Sequence, residues 1–129
     1  MRRNTIMVIF CVLLASMSAR AHHSFSSVFD SKKPITLTGP VTKIEWANPH
    51  IHVYIDVKDE TGQVINWAIE MGSPNFLIRL GWTRDAMKVG DVVTIEGHLA
   101  RDGSRLANAR TVLLADKKMF AASNQNNTP

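Results

Sequence analysis

Cysteine is nearly absent from this chain. Of its 129 residues only Cys11 is one, and it lies inside the apolar run from Ile6 to Ala15. If that run is removed, no disulfide can form, and the folded part must stand on hydrophobic burial alone even in an oxidising compartment. Cys11 does not follow a small-residue lipobox, which argues against a lipid anchor. Long apolar runs are lacking too, because Ile6 to Ala15 is shorter than the roughly 20 apolar residues a bilayer-crossing helix needs. Charge of one sign is missing once the first 21 residues are set aside. Arg2, Arg3 and Arg20 belong to them, so 12 of the 15 basic residues remain against 11 acidic ones, and nothing in that balance points to nucleic acid. The sequence also has no G-x-S-x-G, no H-E-x-x-H and no glycine-rich phosphate loop. Hydrolytic and nucleotide chemistry are left without a signature, so the reading favours binding over catalysis.

What is present begins with a three-part leader. Arg2 and Arg3 precede the apolar run, and Ala19-Arg20-Ala21 offers the small residues a signal peptidase accepts. The expectation is a removable signal peptide over residues 1–21, export to the periplasm, and no membrane span after processing. The remaining 108 residues suffice for one small domain.

Residues 22–34, HHSFSSVFDSKKP, are serine-rich and without apolar period, which suggests an extended arm partly packed through Phe25, Val28 and Phe29. In ITLTGPVTKIEW, Ile35, Leu37 and Val41 keep one parity while Ile44 and Trp46 keep the other. The inward face must therefore switch between Val41 and Ile44, which takes a bulge or sharp bend. HIHVYIDVK alternates Ile51, Val53, Ile55 and Val57 with polar residues, and VINWAIEM returns with Ile65, Trp67, Ile69 and Met71, so a hairpin turns at Asp59 to Gly62. Ser73 before Pro74, with Gly81 after the apolar stretch, predicts a short helix. VVTIEGHLA and RLANARTVLLA form a second hairpin across Arg101 to Ser104. Residues 117–129 show no pattern and are expected to form a flexible tail. The fold expectation is all-β: a small five-stranded OB-like barrel over residues 35–116 with one short helix between strands 3 and 4.

Chemistry, if the sequence carries any, lies in histidine. His22 and His23 stand directly behind the expected cut. A terminal His22 would offer its amine and its imidazole together, a chelate that suits copper or another late transition metal. His23 could bind instead through its imidazole, the amine and the amide between them. His50 and His52, two apart on a strand, share its outer face at roughly 7 Å. Keeping the apolar partners of the hairpin on one face requires paired residue numbers to sum to an even value, and the loop Asp59 to Gln63 makes that sum 122, which sets Glu70 opposite His52. The expected metal set is thus His22, His23, His50, His52 and Glu70. Bland readings compete: a solvated start for the first pair, exposed strand residues for the second, an ordinary surface carboxylate for Glu70. His98 reads as a solvent-facing residue, and Trp46, Trp67 and Trp82 as core or rim packing. The other function class is an interaction module that binds a periplasmic protein or a glycan on the same barrel face.

His22-His23-Ser24-Phe25, Leu37-Thr38-Gly39-Pro40-Val41, Trp46-Ala47-Asn48-Pro49-His50 and the closing Val89-Gly90-Asp91-Val92-Val93 to Gly97 together resemble a family of small exported proteins of Gram-negative bacteria, a domain of unknown function. The resemblance runs from about Ala21 to Asp116. It supports the compartment and the fold and carries no activity with it.

Overall fold

The structure is a computed structural model and describes residues 24–122. A helical turn, α1 (Ser24–Val28), leads into the long strand β1 (Phe29–Glu45), followed by β2 (His52–Lys58), β3 (Val64–Glu70), α2 (Pro74–Arg79), β4 (Val92–Ala100), β5 (Leu106–Leu114) and β6 (Lys117–Phe120). The fold is all-β, one six-stranded sheet with two short helices among the described residues. Strand order is β3-β2-β1-β4-β5-β6, with each neighbouring pair antiparallel. β3 also pairs with β5 in parallel, Ala68 beside Leu106, Ile69 beside Ala107 and Glu70 beside Asn108.

The core collects the inward side chains of the strands. Val53, Ile55, Trp67, Ile69, Val93, Ile95, Ala107 and Val112 are all buried in one cluster with Leu37, Val41, Leu77 and Trp82. The switch of face expected in β1 is a bulge: Val41 pairs with Ile55, but Lys43 pairs with Tyr54, so Thr42 is the extra residue. Gly39 sits just before that bulge because the backbone of β2 closes on it. A Cβ there would stand 1.9 Å from the Asp56 carbonyl oxygen. Gly97 plays the same part between β4 and β5, where a Cβ would stand 1.7 Å from the Asn108 carbonyl oxygen.

The hairpin of β2 and β3 keeps the register expected from its apolar pattern and its loop, with Ile55 opposite Trp67 and His52 opposite Glu70. Asp59 shapes its turn by accepting from the Thr61 and Gln63 backbone N–H groups and from the Thr61 hydroxyl. These bonds hold its carboxyl below the usual range, the Thr61 hydroxyl contributing most. α2 has the ends that its sequence announced: Ser73 Oγ accepts from the Phe76 N–H, Pro74 opens the helix, and Gly81 takes a φ of 93° beyond it.

Two stretches differ from expectation. β1 starts at Phe29, well before Ile35. Phe29 is buried and pairs with Ala100, so the described part of the expected arm is a helical turn and then sheet. The strand count is six, not five, because Lys117–Phe120 pairs with β5. That segment carries no alternation beyond Met119, and its turn carries no glycine or asparagine. Ala115 and Asp116 nevertheless take φ values of 47° and 66°, the left-handed pair that a two-residue hairpin turn needs. A hydrogen bond of 2.7 Å from Trp82 Nε1 to the Phe120 carbonyl fastens the end of β6.

Candidate functional site

His52 at the start of β2 and His50 two residues before it face outward because Ile51 and Val53 between and after them are driven into the core, both about 1 % exposed. The pairing continues past His52: the Met71 N–H donates to the Ile51 carbonyl at 2.8 Å, and the Ile51 N–H donates to the Gly72 carbonyl at 3.1 Å. His50 therefore stands diagonally across from Glu70, and His52 directly opposite it. One carboxylate reaches both rings. Glu70 Oε1 is 2.9 Å from His50 Nδ1, and Glu70 Oε2 is 3.7 Å from His52 Nε2. A cis peptide joins Asn48 to Pro49 just before His50.

On its other side, His52 pairs with Glu45 at the end of β1. Glu45 accepts a bond of 3.1 Å from the Tyr54 hydroxyl and an ion pair from Lys43, whose ammonium also lies 5.1 Å over the Tyr54 ring. The Lys43 contact first, and the Tyr54 hydroxyl next, hold the Glu45 carboxyl below its usual range. Tyr54 is pushed up in turn, chiefly because its proton is engaged by Glu45. His52 thus stands between two carboxylates, one on each neighbouring strand.

Of the residues singled out in the sequence, His50, His52 and Glu70 are brought together. His22 and His23 lie outside the described residues. His98 is half-buried, contrary to a solvent-facing reading. Three neighbours escaped sequence reasoning. Glu45 and Tyr54 flank His52 through the β1 bulge, which shifts the β1–β2 register. Asn108 is the register partner of Glu70 across the parallel β3–β5 junction and of His98 across β4–β5. Nothing local in the sequence could have supplied either register.

The chemical capacity follows from the donors. A carboxylate beside Nδ1 favours the neutral imidazole tautomer with its lone pair on Nε2, the arrangement in which metal-binding histidines are commonly oriented. Among the described residues, however, no group of three or more His, Cys, Asp or Glu side chains is set to hold a metal ion. The depression behind β2, lined by Trp46, Ile51, Val53, Met71, Trp82 and Met87 among others, is on the core side and excludes both histidines. Among the described residues no helix is long and apolar enough to cross a membrane.

No curated protein matches the chain. One protein-family model does, over residues 10–109, and its description is a family of unknown function (DUF6152).

Proposed function

The chain belongs to the DUF6152 family of unknown function, and from that premise we propose that it is an exported binding protein that takes up copper or another late transition metal on the outer face of β2 and β3. The processed chain begins at His22 in this reading, after removal of residues 1–21, and works in the periplasm. The sheet is an OB-like closed barrel of β1 to β5 with β6 appended, a reading supported by the parallel β3–β5 pairing that joins the two ends of the five-strand order.

The observation that carries the metal reading is the double contact of Glu70 with His50 and His52. Glu70 orients His50 so that Nε2 points its lone pair outward, and a carboxylate in that position strengthens the ring as a donor. The strand residues alone do not close around an ion. The His22 amine and imidazole complete the set, with His23 as the neighbouring donor. Imidazole and amine nitrogens favour copper among the divalent ions.

The other class is an interaction module that binds a periplasmic protein or glycan on this face, with the partly exposed His50 and His52 as its hydrogen-bonding groups. Titrating the correctly processed protein with Cu(II), followed by visible absorption, separates the two. Stoichiometric binding that is lost when one residue is added before His22 is the expected result. Absence of any copper band would remove the metal reading and leave the interaction module.

A further inference from the structure

β6 has one side of its backbone to spare. The Ala121 N–H donates to the Arg110 carbonyl at 2.9 Å, one step beyond the pairing of Thr111 with Phe120. Bonded pairs alternate along an antiparallel ladder, so Lys117 and Met119 turn their N–H and C=O groups toward β5, while Lys118 and Phe120 turn theirs away from it. The Phe120 carbonyl shows that direction, since it accepts from Trp82 Nε1 at 2.7 Å. Three rim groups are then left without a partner among the described residues: the Lys118 N–H, the Lys118 C=O and the Phe120 N–H. The other end of the strand order is covered, because β3 pairs with β5.

A groove runs beside this rim. It holds about 420 Å3 and lies between Gly81, Thr83 and Ala86 on the segment after α2 and Leu114, Lys117 and Met119 on the last hairpin. Lys117 and Met119 share a strand face, so the groove is on the core side of β6 and the exposed Lys118 and Phe120 are on the other. Its charges are unequally engaged. The Asp91 carboxylate on the wall accepts from the Lys88 N–H at 2.8 Å, and Lys118 pairs with Glu96. The exposed Lys117 has no acidic partner among the described residues.

We propose that β6 is a docking edge for an extended segment of another protein, added as a parallel strand with a large apolar residue in the groove and an acidic residue two places earlier at Lys117. Direction follows from the acceptors. In parallel pairing the ligand residue opposite Met119 donates to the Lys118 carbonyl and accepts from the Phe120 N–H, and the residue two before it accepts from the Lys118 N–H. All three rim groups are used. Antiparallel pairing would aim a ligand N–H at the Phe120 carbonyl that Trp82 already holds. Side chains of paired residues share a face, so the ligand residue opposite Met119 enters the groove and the one opposite Lys117 meets its ammonium. This surface uses none of His50, His52 and Glu70 and does not depend on the metal reading.

The test titrates the isotope-labelled protein with short capped peptides that carry glutamate two places before isoleucine, leucine or phenylalanine, and reads amide shifts. Shifts centred on Lys118 and Phe120, with slowed exchange of those two amides, are the expected result. Replacing the peptide glutamate by lysine should weaken binding about fivefold, and Lys117→Glu on the exposed side chain should reverse that preference. Lys118→Pro removes a rim N–H without touching a backbone bond to β5, and it should abolish the shifts. If that variant does not fold, the charge reversal still decides. Absence of shifts with every peptide at millimolar concentration, shifts centred elsewhere, or a preference that Lys117→Glu leaves unchanged overturns the proposal. Concentration-dependent shifts on β6 without peptide would assign the rim to a second copy of the chain and overturn it as well. Copper uptake or its absence alters none of these outcomes.

Discussion

Glu70 Oε1 stands 2.9 Å from His50 Nδ1, and the same carboxylate faces His52 from the next strand. One side chain thereby meets the His50 ring at hydrogen-bond distance and faces the His52 ring at 3.7 Å. Glu70→Gln keeps the shape and removes the charge. Copper affinity should fall about 10- to 100-fold, the usual cost of losing a carboxylate behind a ligating histidine, while the far-ultraviolet circular dichroism stays unchanged. Unchanged affinity would take Glu70 out of the site.

Protons should compete with the metal. A terminal amine has an ordinary pKa of about 7.7 to 8.0, and it coordinates only after deprotonation. Copper affinity should therefore weaken as pH falls below about 8, and each ion bound should release protons to the buffer. Isothermal titration at three pH values measures both.

Glu45 is held below the usual carboxyl range by Lys43 first and Tyr54 second. A lowered folded value means that its contribution to stability is present above the ordinary range, about 4.3, and is lost as pH falls through the folded value. Its side-chain carbon resonance should titrate below the ordinary midpoint. Lys43→Met should move that midpoint up, and a midpoint that does not move would show the contact to be absent in solution.

Gly39→Ala and Gly97→Ala force a Cβ against backbone oxygens at 1.9 Å and 1.7 Å. Each should cost about 3 kcal/mol or more in urea unfolding, because neither neighbour is a side chain that can swing away. Gly103→Ala meets open space at a φ of 77° and should cost only about 1 kcal/mol. Equal costs at all three positions would contradict the close strand approach.

The turn from β5 to β6 places Ala115 and Asp116 in the left-handed region. Replacing the pair by Asn-Gly, which suits that turn, should stabilise the protein by about 1 kcal/mol and slow amide exchange at Met119. A destabilised double variant would mean that β6 does not pair with β5 as found.

Alternating apolar residues made much of this fold legible. Parity and the length of the Asp59 to Gln63 loop together gave the β2–β3 register, because Ile55 and Trp67 had to share a face, and Glu70 then fell opposite His52. Capping chemistry gave α2, since Ser73, Pro74 and Gly81 act within a few residues of one another. Features set by distant segments stayed hidden. Phe29 joins the sheet through Ala100, β6 depends on a turn that non-glycine residues adopt against preference, and Asn108 meets Glu70 only across strands more than thirty residues apart. Local patterns carry no information about such meetings.

The parallel contact of β3 with β5 has a bearing on how the chain assembles. The Ala68 N–H reaches the Arg105 carbonyl at 3.0 Å, a bond between segments far apart in the chain, so its loop-closure entropy makes it slower to form than either hairpin. Until it forms, the two strands have bare rims able to recruit a neighbouring copy. Dilution during refolding should therefore raise the yield of monomer, while the rate of the final step stays the same.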